Sequence, residues 1–228
     1  DYGQKISQTG VYVQDQMALD HWRLTLGGRE DWIHTATTFH NKDDATSTLR
    51  DKAFTANVGL GYVFDNGVTP YLSYTESFQP VSGATVGATQ SFKPTEGRQY
   101  EVGVKFQPVG SKTLLTAAVY DLRQENVKVT EGSITRSVGE LQVRGLELEA
   151  TTEVTDNLKV IGSYTYTDTE IKKGLPTEVG NRMALIPRHQ ASFWGNYKVQ
   201  QGVASGLELG TGVRYVGSSV GIGAVDAS

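Results

Sequence analysis

Phe54-Thr55-Ala56-Asn57-Val58-Gly59-Leu60-Gly61-Tyr62-Val63-Phe64 decides the fold. Strand side chains point alternately to opposite faces, so this segment presents one wall of Phe54, Ala56, Val58, Leu60, Tyr62 and Phe64. The other wall carries Thr55, Asn57, Gly59, Gly61 and Val63, small and mostly polar. The same alternation sets Trp22, Leu24 and Leu26 against Arg23 and Thr25, and Tyr100, Val102, Val104 and Phe106 against Glu101, Gly103, Lys105 and Gln107. Leu146, Leu148 and Ala150 oppose Gly145, Glu147 and Glu149; Leu207, Leu209, Val213 and Tyr215 oppose Glu208, Gly210, Gly212 and Arg214. Segments 114–127 and 158–168 mix small and apolar residues on both faces.

Extending this pattern along the chain predicts about ten strands, roughly 8–20, 22–35, 52–64, 68–77, 95–108, 113–127, 137–153, 158–170, 188–199 and 207–217. Most exceed the five or six residues usual in soluble sheets and match the roughly 9–11 needed to cross a bilayer at a tilt. Short turns are expected at Asp20-His21, Asp65-Asn66-Gly67, 108–112, 154–157 and 200–206, where Asn and Gly accept the positive φ of a hairpin turn. Longer polar loops are expected near 36–51, 78–94, 128–136 and 171–187. Alternating short and long connections are what outer-membrane barrels show, with tight periplasmic turns and long extracellular loops. The expected fold is therefore all-β: a transmembrane antiparallel up-and-down β-barrel. Counting strands puts both ends of the sequence on the outer side, so further strands are expected on both flanks.

Composition excludes several alternatives. The 228 residues include no Cys, which removes disulfides and thiolate metal sites. No run of about 18 apolar residues is present, so no transmembrane helix is expected. Net charge is −4 with both signs interleaved, leaving no basic stripe for nucleic acid. The chain carries 26 Gly and 11 Tyr with abundant Thr and Val, which argues against disorder although only 38% is hydrophobic. Neither a phosphate-binding loop nor an H-E-x-x-H motif occurs, and the sequence offers no nucleophile–base pair.

Gln8-Thr9-Gly10-Val11-Tyr12-Val13-Gln14-Asp15-Gln16, Leu26-Gly27-Gly28-Arg29-Glu30-Asp31 and Val68-Thr69-Pro70-Tyr71-Leu72-Ser73-Tyr74-Thr75-Glu76-Ser77-Phe78-Gln79-Pro80 resemble strand motifs of TonB-dependent ferric-siderophore receptors. Phe92-Lys93-Pro94 with Gly97-Arg98-Gln99-Tyr100-Glu101-Val102-Gly103-Val104-Lys105 continues the likeness. Gly145-Leu146-Glu147-Leu148-Glu149, Gly162-Ser163-Tyr164-Thr165-Tyr166-Thr167-Asp168 and Ile186-Pro187-Arg188-His189 follow in family order. The series is similar to the ferrichrome-type hydroxamate receptors and covers nearly the whole chain as a piece of the C-terminal half. The resemblance implies that residues 1–228 form about ten strands of a roughly 22-stranded barrel whose plug domain and final strands lie outside this sequence. It further implies a Gram-negative outer-membrane receptor importing a ferric siderophore with energy from the TonB complex, contacted through the plug region. The chelate is cargo, with no resident cofactor or metal. Outer-membrane lipid or lipopolysaccharide would surround it, and phage or colicin could use its loops. A general porin and an outer-membrane protease or lipase are the alternatives; hydrolysis by the purified barrel would reveal the latter, and none is expected.

Three loop aromatics, Phe39, Phe78 and Phe92, are the ligand-binding candidates, because a bulky amphipathic chelate is held by aromatic faces and a few hydrogen bonds. The plainer reading has them packing on one another or on the membrane interface. Trp22, Tyr62, Phe64, Tyr74, Phe106, Tyr197 and Tyr215 fall near strand ends on the apolar face and suit the interface girdle. Glu101, Lys105, Glu147, Glu149 and Arg214 are expected to face the lumen, where a conduit role competes with the polarity that any wet interior needs. Among His21, His34, His40 and His189, only His34 and His40, near Asp43 and Asp44, share a loop; a solvated acidic loop explains them without a metal.

Overall fold

A computed structural model of the chain describes residues 2–39, 45–81, 93–131 and 134–221. Ten strands follow one another: β1 (Tyr2–Leu19), β2 (Trp22–Phe39), β3 (Ala45–Tyr62), β4 (Val68–Gln79), β5 (Thr95–Phe106), β6 (Leu114–Glu131), β7 (Ile134–Thr155), β8 (Leu158–Lys173), β9 (His189–Lys198) and β10 (Glu208–Val216). Each pairs antiparallel with the next in one meandering sheet, β1 to β10 in order.

At the short-turn end, the connections are set by local chemistry. Asp20 takes a positive φ of 51° in the two-residue turn between β1 and β2. After β3, Gly67 adopts φ 85°, its amide donates to the Phe64 carbonyl at 2.9 Å, and Asn66 Oδ1 accepts from the Val68 amide at 3.1 Å. The Gly67 carbonyl then accepts from the Gln107 amide, so this turn is tied to the end of β5. No side chain fits at Gly67, because a Cβ there would enter the Gln107 carbonyl.

Cross-strand register collects the alternating residues into two walls. Trp22 faces Tyr62, Leu24 faces Leu60 and Leu26 faces Val58. Leu60 then meets Leu72, Leu72 meets Val102, and Val102 meets Val119. This apolar wall is bare: Phe54 is 64%, Val102 60% and Leu72 52% exposed. From Trp22 to Trp32 the wall climbs about ten residues of roughly 3.3 Å each; tilted by about 40°, that gives a band roughly 25 Å tall, the height of a hydrocarbon layer.

Above the band the structure departs from the sequence-based boundaries. Much of 36–51 and 128–136, expected as loop, is strand: β2 and β3 stay paired up to Phe39↔Ala45, and β6 and β7 up to Glu131↔Ile134. Strict short–long alternation of the connections is therefore lost, since these two tall hairpins project as ladders. Between them the sheet splits. β3 and β4 pair only from Asn57↔Thr75 to Gly61↔Tyr71, while β4 continues with β5 up to Gln79↔Thr95. The Glu76 carboxylate sits at the fork, accepting from the Ala56 amide at 3.1 Å and from the Tyr74 hydroxyl at 2.6 Å.

β9 accompanies β8 only as far as Tyr166↔His189. Higher up, the connection 174–188 folds back along β8. The Ile171 amide donates to the Asn181 carbonyl, the Gly180 amide to the Ile171 carbonyl and the Met183 amide to Thr169 Oγ1, each at 2.9 Å. Leu141 and Ile171, both buried, pack there with Val127, Val143 and Met183. This small core lies above the apolar band, not within it.

Candidate functional site: the polar wall and its rim

The polar wall opposite the apolar band carries the groups that a solute would meet. Several of its glycines are not gaps. Tyr71 of β4 lies across Gly103 of β5, so near that a Cβ on Gly103 would sit 2.6 Å from the phenol oxygen. Tyr120 lies the same way across Gly145, and Trp194 across Gly212, each within 2.5 Å of such a Cβ. Each aromatic fills the space that its cross-strand partner lacks, which keeps the wall closed and smooth.

Glu101, Lys105, Glu147, Glu149 and Arg214 all stand on this polar side by register. Glu101 is held by two donors, the Tyr71 hydroxyl at 2.7 Å and Gln99 Nε2 at 3.1 Å. Lys105 places its ammonium 5.3 Å from the Tyr71 ring centre, within cation–π range. Arg214 donates to Gln190 Oε1 at 3.2 Å, and the Ser163 and Ser192 hydroxyls meet at 2.7 Å. Glu147 and Glu149 are exposed.

Higher on the same side, Asp31 is buried beneath a bidentate Arg29, with Nε to Oδ2 at 2.6 Å and Nη2 to Oδ1 at 2.8 Å; Gln8 Nε2 adds a donor at 2.8 Å. Burial of a carboxylate is tolerable here because all three donors address it.

On the apolar side, ion pairs break into the hydrocarbon surface, one of them at the top of the band where Glu30 precedes Trp32. Lys52 meets Glu30 at 2.7 Å, Arg144 meets Asp121 at 2.8 Å and Lys172 meets Glu170 at 2.6 Å. Higher still, Lys173 bonds Glu140 at 2.5 Å and holds that carboxyl below the usual carboxylate range. Asp121 beside it pushes the Arg144 guanidinium further up.

The girdle candidates occupy two levels. Trp22, Tyr62 and Phe64 stack edge-on at the short-turn end, with centroids 4.9 and 4.8 Å apart. Phe106 and Tyr197 lie near that level. Tyr74 pairs with Tyr100 at 4.9 Å near the upper edge, and Tyr215 lies on the apolar side of β10. Sequence reasoning passed over Tyr164, Tyr166 and His189, which cluster on the apolar face with His189 Nδ1 2.9 Å from the Tyr164 hydroxyl. Two same-face tyrosines on β8, one of them directly opposite His189 of β9, were the available signal.

The aromatic candidates for ligand contact do not converge. Phe78 belongs to β4, not to a loop, and faces Glu96 on the same side as Leu72 and Tyr74. That turns it away from the polar wall, because strand alternation is fixed by the ladder. Phe39 ends β2, and its side chain, like all of Phe92, lies outside the described residues. His40, Asp43 and Asp44 also lie outside them, and among the described residues no group of three or more His, Asp or Glu could hold a metal ion.

Residues 1–226 match the family described as TonB dependent receptor-like, beta-barrel. The ferrichrome outer membrane transporter/phage receptor of Escherichia coli K12 is 47% identical over 222 residues, which are 95% of this chain and 29% of that protein. The ferrioxamine B receptor of Salmonella typhimurium LT2 is 42% identical over 214 residues, 93% of this chain and 30% of that protein. Among solved structures, the siderophore receptor PiuA of Acinetobacter baumannii superposes with a TM-score of 0.76 at 26% identity, over 95% of this chain and 34% of that one. The alcaligin outer membrane receptor FauA of Bordetella pertussis gives 0.71 at 26%, over 95% and 38%. The chain thus spans 29% to 38% of these four proteins.

Proposed function

This chain belongs to the TonB-dependent receptor β-barrel family, a family of the outer membrane, and from that membership we infer that it supplies ten barrel strands to a receptor importing ferric siderophores of the hydroxamate class. The observation that carries this reading is the two-walled sheet: an apolar band of bilayer height backed by a polar, aromatic-paved wall. The apolar wall faces lipid and the polar wall lines the lumen. Identities of 47% and 42% to receptors named for ferrichrome and ferrioxamine B support the hydroxamate class.

Chelate contact falls to the sequence candidates Phe39 and Phe92, with Tyr12 added from the polar side of β1, where it is 70% exposed. Phe78, turned to the lipid-side parity, acts in the rim's packing instead. Energy reaches the site through a plug region and the TonB complex. The relatives are receptors and transporters, and this chain likewise works by binding and passage with no bond-breaking chemistry. The tall β2–β3 and β6–β7 hairpins suit a second use as a phage docking surface, the role printed in the name of the E. coli relative.

The test is growth. A receptor-deficient strain carrying the full-length protein should grow on ferric hydroxamates as sole iron source and not on ferric catecholates. Growth on catecholates alone would overturn the hydroxamate reading.

A further inference from the structure

The sheet covers some of its glycines and leaves others bare. On the lumen side, Gly103, Gly145 and Gly212 are each covered by an aromatic ring. On the lipid side, a Cβ on Gly162 would meet nothing nearer than the Ser192 carbonyl at 4.0 Å, and on Gly195 nothing within 4 Å. A barrel wall is convex outward, so a hollow in it comes from missing side-chain volume.

Such a hollow is present. In one cross-strand row Phe106, Leu115, Ala150, Gly162 and Phe193 are neighbours, and in the row above it Val104, Ala117, Leu148, Tyr164 and Ala191. Ala117, Ala150 and Gly162 form a diagonal floor between the larger side chains. The groove has a volume of about 500 Å³, within the range of ligand sites. No carboxylate, Lys, Arg or His side chain lines it from the lipid side, where the polar group is the Tyr164 hydroxyl; Thr116, Glu149, Ser163 and Ser192 point to the lumen by alternation.

We propose that this groove is a binding site for one fatty acyl chain of a periplasmic-leaflet phospholipid. This rests on the membrane orientation given above. The leaflet follows from depth, since Phe106 closes β5 and Leu115 is the second residue of β6, beside the short turn 107–113. The class of occupant follows from surroundings: the groove is continuous with the lipid-facing wall, is apolar but for the Tyr164 hydroxyl, and can be wetted only at a cost per unit of apolar area. A chain lying on Ala117, Ala150 and Gly162 touches backbone as well as side chains, and so makes more contacts than one lying on the flat Leu60–Leu72–Val102 stretch.

The experiment uses the full-length receptor, both in native outer-membrane vesicles and in nanodiscs of phosphatidylethanolamine carrying a mid-chain diazirine. After illumination, labelled peptides are quantified by mass spectrometry. Peptides containing 115–117, 148–150 and 162–164 should be labelled several-fold above those containing 58–60 and 72–74. Ala150→Leu and Gly162→Leu should bring the groove down to the level of the plain wall, whose own unchanged labelling certifies that each variant is inserted. Equal labelling of groove and plain wall in the wild type would overturn the proposal. An unlabelled groove beside a labelled wall in native vesicles would overturn it in favour of a protein partner. If neither wall took label, the membrane orientation itself would fail.

Discussion

Replacing Gly103 by alanine tests whether the lumen wall depends on rings lying over glycines. The new Cβ would sit 2.6 Å from the Tyr71 phenol oxygen and Cζ, against an ordinary carbon contact of about 3.5–4.0 Å. The ring must therefore swing off the wall by an ångström or more. Moving it breaks the Tyr71–Glu101 hydrogen bond at 2.7 Å, and a bond to a charged acceptor contributes about 1.5–3 kcal/mol. Against this, removing a strand glycine returns roughly 0.5–1 kcal/mol. The net expectation is a loss of about 1–2 kcal/mol for G103A. G59A is the matched control: its Cβ would rest 3.8 Å from Thr25 Cβ, an ordinary contact, so it should be neutral or mildly stabilising. Urea unfolding of the full-length barrel in lipid vesicles, followed by tryptophan fluorescence, measures both. Y71A should remove most of the difference between Gly and Ala at position 103, because the clash and the bond share one ring. If G103A unfolds at the same urea concentration as G59A, the idea that rings substitute for missing side chains on this wall is wrong.

Val58→Arg on the lipid wall should cost about 2–4 kcal/mol in the same unfolding assay, whereas Glu147→Arg on the lumen wall should leave stability nearly unchanged and alter uptake instead. Gly67→Ala meets both a φ of 85° and the Gln107 carbonyl, and should lose about 1–3 kcal/mol, seen as a lower midpoint. Glu140 has its carboxyl lowered by Lys173, so the pair's contribution is complete above the ordinary carboxylate value of 4.5 and fades as pH falls through the lowered one. Protease susceptibility of the β7–β8 rim should rise below that point, and Lys173→Met should move the onset upward.

The parts of this fold that were legible in the sequence are those where two different solvents impose alternation. Between Trp22 and Trp32, or Phe54 and Tyr62, one side meets hydrocarbon and the other water, so residue type records the strand and its faces. Above the bilayer both sides are wet. Thr46-Ser47-Thr48 keeps the β3 ladder to Thr38, Thr37 and Ala36 but shows no alternation, so it reads as loop. Hairpin height was lost for that reason. Phe78 is a different kind of miss, since counting by twos from Leu72 and Tyr74 would have turned it to the lipid side. The covered glycines and the fork at β3–β4 were beyond reach, because each depends on which residue the neighbouring strand puts opposite, a register that no single strand encodes.

The fork also bears on how the mouth of the pore deforms. Above Asn57 and Thr75 no rung joins the β2–β3 hairpin to β4–β5, so the two can lean apart like the tines of a tuning fork with every ladder intact. The Glu76 carboxylate, gripping the Ala56 amide at the crotch, is the stitch that such a movement would strain first.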